Sequence, residues 1–343
     1  MDEALYDPEE GFYAQPPVGE AGHFVTSPHV SGAFGALLAR QVGQAWDLLG
    51  KPSELTVLEV GAGDGTLARQ ILEGVGVVPE LAFAVRYLAV ERTPGARNSL
   101  AEAGIEVRHS LDEVEPFTGC VLANELLDNL PFRRVRRQEG RTVEVLVGAE
   151  DGRLVEVEEE APAGLLELLP GFPADEEQER PVSQEALGFV RDVARVLKRG
   201  YCFLFDYGFA EGDSPGPVHA YRDHRVLEEV LQEPGSRDVT AAVDLTAVAR
   251  EATAAGLRVW GPISQREALL GLGFRTWMQA LRSRQTELQV TRGWREASRV
   301  YSERQRASIL IDPDKLGGLQ VLVLGTDGLP PPAASIGDVE TGC

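Results

Sequence analysis

The chain has 343 residues, of which 43% are hydrophobic and 25% charged, proportions typical of a folded globular protein. Its formal net charge of −21 argues against a nucleic-acid partner and weakly favours a cationic or neutral substrate. No apolar run approaches the ~18 residues that cross a membrane, and the acidic N-terminus lacks a signal-peptide pattern, so we expect a cytoplasmic protein without a membrane partner.

The first 50 residues divide into an arm and a helix. Residues 1–30 are rich in glycine, proline and aromatic side chains, a composition typical of turns, and the aromatic content predicts that something packs on this arm. Ser31 is placed to cap a helix whose apolar side chains repeat at helical spacing up to Leu49, before Gly50 and Pro52 end it.

A strand, a glycine loop and a helix follow. The β-branched run that ends at Val60 predicts a buried strand, and glycines stand at alternate positions 61, 63 and 65. From Thr66 the apolar side chains repeat at helical spacing. This order is typical of the nucleotide crevice at the carboxyl end of the first strand of an α/β sheet.

The glycine spacing indicates which nucleotide binds. Thr66 stands where the dinucleotide fingerprint needs its third glycine, and no Gly-Lys pair follows as in a P-loop. The stretch from Glu59 to Gly65 resembles motif I of class I S-adenosylmethionine (SAM) methyltransferases, and its acid suits a ligand with an ammonium group and a sulfonium. An ordinary glycine turn is the alternative. The cofactor contacts that this resemblance implies are Glu59, Gly61, Ala62, Gly63 and Gly65.

Strands and helices then alternate, which predicts a mostly parallel sheet with right-handed crossovers. Further strands are predicted at 85–91, 105–109, 119–123, 201–207, 257–260 and 319–324, with helices at 94–103, 183–199 (closed by Gly200) and 243–255. Residues 132–181 interrupt the alternation with antiparallel strands at 132–147 and 154–159 and an acidic loop. Residues 208–240 are predicted as loop, 264–310 as an arginine-rich helical cap, and 326–343 as a flexible tail beyond a single domain, 1–325.

Polar side chains at strand ends are the candidate cofactor ligands. Glu91 ends the second strand, where related folds place an acid that accepts hydrogen bonds from ribose; the alternative is a solvated acid. Ser110 and Leu111 follow the third strand, where the adenine edge is usually read. His109, beside them, is more often a structural histidine than a stacking one.

The residues after the fourth and fifth strands are the candidates for chemistry. Asn124, Glu125 and Asp128 follow a buried strand, and Glu125 and Asp128 share a face if a helical turn starts there. Two carboxylates could hold a guanidinium, although Asn124 or Asp128 could instead cap a helix. Asp206 and Tyr207 end the fifth strand; the alternative for Asp206 is a turn.

Other polar clusters and motifs carry less information. Asp238 and Thr240 either line the same cleft or cap the next helix. Gly212 to Gly216 match G-x-S-x-G, but Pro215 lacks the N–H that an oxyanion hole needs. No Cys/His cluster has zinc spacing, so no metal is expected. The widely spaced Cys120 and Cys202 are expected to be buried thiols, and with Cys343 they form no disulfide framework.

Several stretches together resemble the MidA-type SAM-dependent methyltransferases, whose mitochondrial members are protein-arginine methyltransferases of complex I assembly. The matching motifs, in the family's order, are Ala4-Leu5-Tyr6-Asp7-Pro8 with Gly11-Phe12-Tyr13, Gly22-His23-Phe24 with Thr26-Ser27-Pro28 and Ser31, Phe34-Gly35, the glycine loop, Ala123-Asn124-Glu125 with Asp128 and Leu130-Pro131, Asp206-Tyr207-Gly208, Tyr221-Arg222 with His224, Asp238-Val239-Thr240 with Val243-Asp244, and Gln265 with Leu269, Leu270, Leu272 and Gly273.

The resemblance implies a class I methyltransferase fold, an α/β, Rossmann-like and mostly parallel seven-stranded sheet with the inserted strands and helical cap. It also implies that Thr26, Ser27 and Pro28 fold over SAM and that S-adenosylhomocysteine is the product. Asn124 is implied both as a cofactor contact and as a catalytic residue. His23, Phe24, Asp206 and Tyr207 are the implied substrate residues. The family usually has Gly-Asp-Phe around position 23 and G-P-G-R-G in the glycine loop, and its upstream helix has no counterpart before Met1.

Three functions follow as hypotheses. The first is methyl transfer to a protein arginine, with Glu125 and Asp128 holding the guanidinium. The second is methylation of a small molecule on O, N or C, which the change at His23 motivates. The third is a non-catalytic, SAM-binding assembly factor. The oligomeric state is left open, with a homodimer among the arrangements considered.

Overall fold

The computed structural model describes residues 1–7, 9–14, 26–138, 140–169, 178–222, 225–227 and 229–336. The predicted substrate residues His23 and Phe24, and His224 of the family pattern, lie outside these ranges. Within them, none of the helices is both long enough and apolar enough to cross a membrane.

Helices and strands alternate through most of the chain. The α-helices, α1 to α12 in chain order, span Asp2–Tyr6, Ser27–Val30, Ala33–Leu48, Thr66–Val75, Pro79–Ala84, Pro94–Glu102, Ala163–Leu166, Gln184–Val196, Leu245–Ala254, Gln265–Gly271, Phe274–Val290 and Trp294–Ile309. The strands, β1 to β16, span Leu55–Val60, Val85–Val90, Glu106–Arg108, Phe117–Asn124, Arg133–Gln138, Arg141–Glu150, Arg153–Glu160, Gln178–Val182, Leu197–Asp206, Gly208–Phe209, His219–Arg222, Arg225–Leu227, Asp238–Thr240, Val243–Asp244, Arg258–Ser264 and Gln320–Gly325.

The central sheet has seven strands in the order β15-β16-β9-β4-β1-β2-β3. The five strands from β9 to β3 pair in parallel, and β16 runs antiparallel between β9 and β15. This confirms the predicted mostly parallel, seven-stranded α/β sheet. The parallel strands bring their carboxyl ends, and the polar residues that follow them, to one edge.

The core lies on both faces of the sheet because successive strand residues point to opposite sides. Leu55 and Val57 of β1 pack with α3 and α4 on one face, whereas Leu58 and Val60 pack with α8 and α9 on the other. Strand β1 is therefore buried along its whole length, as its β-branched composition predicts.

The helix predicted to end at Gly200 ends earlier, at Val196. Strand β9 begins at Leu197, so Gly200 lies inside a strand. A Cβ atom on Gly200 would stand 1.8 Å from the carbonyl oxygen of Gly119 in β4. This glycine therefore allows a close strand approach and does not terminate a helix.

The insertion forms a separate antiparallel sheet with the order β7-β6-β5-β8. The single strand predicted over 132–147 is two strands, because the chain turns around Gly140, whose φ is +74°. Arginines of β5 pair with acids of the neighbouring strands, for example Arg136 with Glu158 and Glu179. The acids of the insertion that pair with β5 arginines in this way are Glu144, Glu156, Glu158 and Glu179.

Residues 208–240, predicted as loop, contain short strands. Strand β11 pairs with β12 and β13, and β10 pairs with β14. Asp238 and Thr240 belong to β13 and cap no helix. The N-cap of α9 is Asp244, whose side chain accepts a hydrogen bond from the backbone N–H of Ala247.

The helical region predicted over 264–310 consists of α10, α11 and α12. Helices α11 and α12 pack on each other, and α11 contacts α3 while α12 contacts α2. None of the residues 264–310 is among those that line the cleft described below.

The tail predicted to be flexible is packed on the core as far as residue 336. Leu329 is 2% exposed. The Tyr201 hydroxyl donates to the carbonyl oxygen of Pro330 at 2.8 Å, and the backbone N–H of Ala334 donates to Gln41 Oε1 at 2.9 Å. The low-complexity appearance of Pro330–Pro332 concealed these tertiary contacts. Residues 337–343 lie outside the described ranges.

Candidate active site

The glycine loop after β1 forms the floor of a large cleft. Gly61, Gly63 and Gly65 have φ angles of +73°, +53° and +75°, which favour glycine strongly. A Cβ atom on Gly63 would meet nothing within 4 Å, so open space lies above this residue. Gly61 and Gly63 line the cleft, whereas Gly65 packs on Leu100 and Ala62 is buried in the core.

Glu91 closes one side of this loop. Its Oε2 accepts the backbone N–H of Gly63 at 2.9 Å, and its Oε1 accepts the backbone N–H and hydroxyl of Thr93. The side chain lines the cleft, as do Ser110 and Leu111 from the segment after β3. The structure thus brings together the residues predicted to contact ribose and adenine.

Glu59 does not line the cleft, although the motif resemblance implied that it contacts the cofactor. It is buried, and its Oε2 accepts a hydrogen bond of 2.7 Å from the Tyr87 hydroxyl. Burial raises the pKa of Glu59 to about 8. Its direct role in the structure is to join β1 to β2.

The N-terminal segment reaches both the glycine loop and Glu125. The backbone N–H of Ser27 donates to Glu125 Oε1 at 3.0 Å, and Thr26 lines the cleft. The carbonyl of Pro28 accepts from Gln70, so Ser27 and Pro28 make these contacts with backbone atoms.

His29 makes contacts near the glycine loop that the sequence analysis did not predict. Its Nδ1 lies 2.8 Å from the Thr26 hydroxyl and its Nε2 lies 3.2 Å from Asp64 Oδ2. Burial opposes ionisation of Asp64, but hydrogen bonds from His29 and Thr66 outweigh it and lower the pKa of Asp64 to about 2. His29 therefore ties the N-terminal segment to the glycine loop.

The turn after β4 places Glu125 in the cleft, but not on a helical face. Glu125 has φ of +50°, and its N–H donates to the carbonyl of Phe205 at 2.7 Å. A non-glycine residue in this conformation is strained, as often at functional sites. The side-chain amide of Asn124 donates to Glu125 Oε1, and burial raises the pKa of Glu125 to about 7.

Asp206 supports this turn from below. It is 2% exposed, does not line the cleft, and accepts the backbone N–H groups of Leu126 and Leu127 at 3.1 and 2.6 Å. Asp206 therefore positions this turn, and its predicted contact with substrate stays a prediction that the lining of the cleft does not support. Burial and repulsion by Asp128 raise the pKa of Asp206, and burial raises that of Asp128 to about 6. Tyr207, by contrast, is 45% exposed and lines the cleft.

Aromatic side chains from the arm form another part of the wall. Tyr6 stacks on Tyr13 with ring centroids 5.3 Å apart, and the Arg92 guanidinium lies over the Tyr6 ring. The Tyr13 hydroxyl donates to Asn129 Oδ1 at 2.6 Å and lies 3.3 Å from Asp238 Oδ1. The aromatic content of residues 1–30 was the signal for this wall.

The cleft is acidic. It has a volume of about 820 Å³, within the usual range of ligand pockets, and Arg92 is the one arginine among its described lining residues. The acidic lining residues are Asp64, Glu91, Asp112, Glu125, Asp128, Glu185, Asp192 and Asp238. Such a lining suits cationic ligands.

The site fits S-adenosylmethionine. Glu91 offers carboxylate oxygens to ribose hydroxyls, the space above Gly63 admits a ligand, and the acidic lining suits the sulfonium and ammonium groups. Asn124 does not itself line the cleft, but its Oδ1 is buried next to Glu125 and has no hydrogen-bond partner among the described residues. No group of three or more His, Cys, Asp or Glu side chains within the described ranges could hold a metal ion.

Comparisons with known proteins agree with this geometry. A family model for S-adenosyl-L-methionine-dependent methyltransferases matches residues 37–263. The mitochondrial protein arginine methyltransferase NDUFAF7 homolog of Drosophila melanogaster is 30% identical over 306 residues, which cover 77% of this chain and 68% of that protein. The mitochondrial protein arginine methyltransferase NDUFAF7 of Danio rerio is 29% identical over 319 residues, which cover 82% of this chain and 74% of that protein.

One solved structure is similar along almost the whole chain. It is a methyl-transferase candidate from Burkholderia thailandensis bound to S-adenosyl-homocysteine, with a TM-score of 0.84 and 27% sequence identity. The match covers 99% of this chain and 90% of that one.

Proposed function

This chain belongs to the family of S-adenosyl-L-methionine-dependent methyltransferases, and we propose that the acceptor of the methyl group is the guanidinium of a protein arginine. The names of the Drosophila and Danio relatives suggest this acceptor. The acidic cleft supports it independently.

The observation that carries the proposal is a group of buried carboxyls without a counterion. Glu125, Asp128 and Asp238 line the cleft, and Asp206 lies directly behind Asp128. Among the described residues, no Lys, Arg or His forms an ion pair with any of the four; His29 is near Glu125 but is bonded to Asp64. A buried carboxylate without a partner is costly, so this cleft favours a ligand that remains cationic, as arginine does.

Glu125 is suited to hold the guanidinium and to take its proton. SAM, when bound, supplies an electrophilic methyl group on sulfur. The acceptor nitrogen forms the new N–C bond as the S–C bond breaks, and the methylated guanidinium loses one proton. Glu125 Oε1 is held by Ser27 and Asn124, which leaves Oε2 to receive that proton. A pKa near 7 matches such a base to neutral pH.

The test is to incubate the purified protein with SAM and arginine-containing peptides and to locate new methyl groups by mass spectrometry. We expect methylarginine. Glu125→Gln should lower turnover by about 100-fold or more and retain SAM affinity by calorimetry. Glu150→Gln, on the exposed β6-β7 turn, is the control for loss of one negative charge. New methyl groups found only on a small molecule, or undiminished peptide methylation by Glu125→Gln, would contradict the proposal.

The cytoplasmic location and the homodimer stay predictions. Cell fractionation would test the first, and light scattering of the purified protein would test the second.

A further inference from the structure

We infer that the acceptor segment carries a second cationic side chain close to its arginine, and that Asp238 binds it. The inference rests on the proposed arginine acceptor and names the kind of protein segment that would deliver it. It makes Asp238 a residue that determines specificity.

Asp238 occupies a part of the cleft that is separate from Glu125. Glu125 is held by Ser27 and Asn124, near the glycine loop. Asp238 lies on β13, where it pairs with Tyr221 of β11, and its Oδ1 lies 3.3 Å from the Tyr13 hydroxyl. Asp128 is joined to β13 by the Thr240 hydroxyl, which donates to Asp128 Oδ2 at 3.2 Å, and it interacts electrostatically with both Glu125 and Asp238. The cleft therefore presents two acidic positions with different neighbours, one at Glu125 and one at Asp238, and Asp128 is close to both.

The two positions need more than one positive charge. A guanidinium bound by Glu125 and Asp128 matches the first position through paired hydrogen bonds. Asp238 is only 3% exposed, and no ion pair among the described residues includes it; the adjacent Arg237 pairs with Glu233 instead. A carboxylate that is buried in this way stays ionised only at a large free-energy cost unless a cation reaches it.

The surroundings of Asp238 suit an ammonium or guanidinium group. Tyr13 and Tyr221 line the cleft beside it, and tyrosine ring faces attract cations. Asn129 fixes the Tyr13 hydroxyl at 2.6 Å, so the position is held in place before a ligand arrives. A lysine or arginine within a few residues of the acceptor arginine would supply the missing charge.

The experiment compares two arginine peptides that differ in one residue. Lysine is placed in turn at each of the two positions before and after the arginine, and the reference peptide has alanine there. For the best lysine position we expect kcat/KM at least tenfold above the reference, mainly through a lower KM. Asp238→Asn should reduce this ratio to less than twofold, whereas Glu229→Gln, an exposed acid outside the cleft, should keep it.

A second variant protects the test against misfolding of Asp238→Asn. Tyr13→Phe removes the hydroxyl beside Asp238 but leaves the charge, so it should lower the lysine-to-alanine ratio partially. Equal kcat/KM for all peptides in the unmodified protein, or an unchanged lysine-to-alanine ratio in Asp238→Asn, would overturn the inference of a second cation and leave the arginine acceptor standing. Absence of methylation on every peptide would overturn the arginine acceptor as well.

Discussion

The carboxylates of this cleft differ in role because their hydrogen-bond partners differ. Glu91 accepts backbone N–H groups from the glycine loop and Thr93, so it shapes the loop and faces the ligand. Asp206 accepts backbone N–H groups from the turn after β4 and is covered by it. Both residues stand at the carboxyl end of a parallel strand, yet only Glu91 lines the cleft.

Glu91→Gln should weaken SAM binding by about tenfold or more. Both carboxylate oxygens of Glu91 accept hydrogen bonds, whereas a glutamine amide has a single oxygen and cannot accept from Gly63, Thr93 and the ribose together. Calorimetric titration of SAM measures the change. Glu102→Gln, an exposed acid at the end of α6, should bind SAM as the unmodified protein does. Equal affinity in Glu91→Gln would contradict a role for this carboxylate in cofactor binding.

At the scale of elements, the glycine loop and the packed tail show how local composition can indicate a structure or conceal it. The three glycines of the loop have positive φ angles, a backbone conformation that favours glycine, so their spacing in the sequence indicates the loop. The tail resembles a disordered segment in composition, yet its backbone donates to and accepts from buried side chains of α3 and β9.

Gly63→Val should abolish SAM binding, because the side chain would occupy the open space above the loop and the φ of +53° disfavours valine by about 1–2 kcal/mol. Gly104→Val is a matched control, since its φ is +77° and its Cβ would also meet open space, but it does not line the cleft. We expect comparable loss of stability in the two variants by thermal unfolding, with SAM binding lost only in Gly63→Val.

Leu329→Ala should destabilise the protein by about 2–5 kcal/mol, the usual effect of leaving a cavity at a buried leucine. Urea unfolding measures the difference. Ile336→Ala, at a half-exposed side chain of the same segment, should cost far less. A small effect at Leu329 would mean that the segment detaches from the core without unfolding it.

For the molecule as a whole, the buried acids make stability depend on pH. Burial raises the pKa of Glu59 to about 8, of Glu125 and Asp238 to about 7 and of Asp128 to about 6, from ordinary values of 4.5 for Glu and 3.8 for Asp. At pH values between the ordinary pKa and the raised pKa of each group, the folded chain binds more protons than the unfolded chain. The free energy of unfolding therefore falls as pH rises from about 4 to about 8.

Glu59→Gln should flatten this dependence, because it removes one of the raised pKa values. Each pKa unit corresponds to about 1.4 kcal/mol, so the variant's stability relative to the unmodified protein should rise by about 1 kcal/mol or more between pH 5 and pH 8. Urea unfolding at the two pH values measures it. Glu54→Gln, at an exposed acid, should show no such change.

The sequence by itself determined the parallel sheet, the glycine loop and the strand-end residues of the cleft. These depend on short-range patterns: β-branched runs, alternate glycines, and polar residues directly after a strand, whose carboxyl ends must meet at one edge. For the same reason the structure places Gly63, Glu91, Ser110, Leu111, Glu125 and Asp128 along one cleft, while their contacts with cofactor and substrate stay predictions.

Only the tertiary structure decided which polar side chains face the cleft and which stand behind it. Glu59 and Asp206 sit beside cleft residues in the sequence, but the side on which each points depends on packing against Tyr87 and the turn after β4. The link from His29 to Asp64 and the position of Asp238 beside Tyr13 join residues 35 and 225 positions apart. No local pattern encodes such pairs, because their distance is set by the packing of the arm and β13 around the finished sheet.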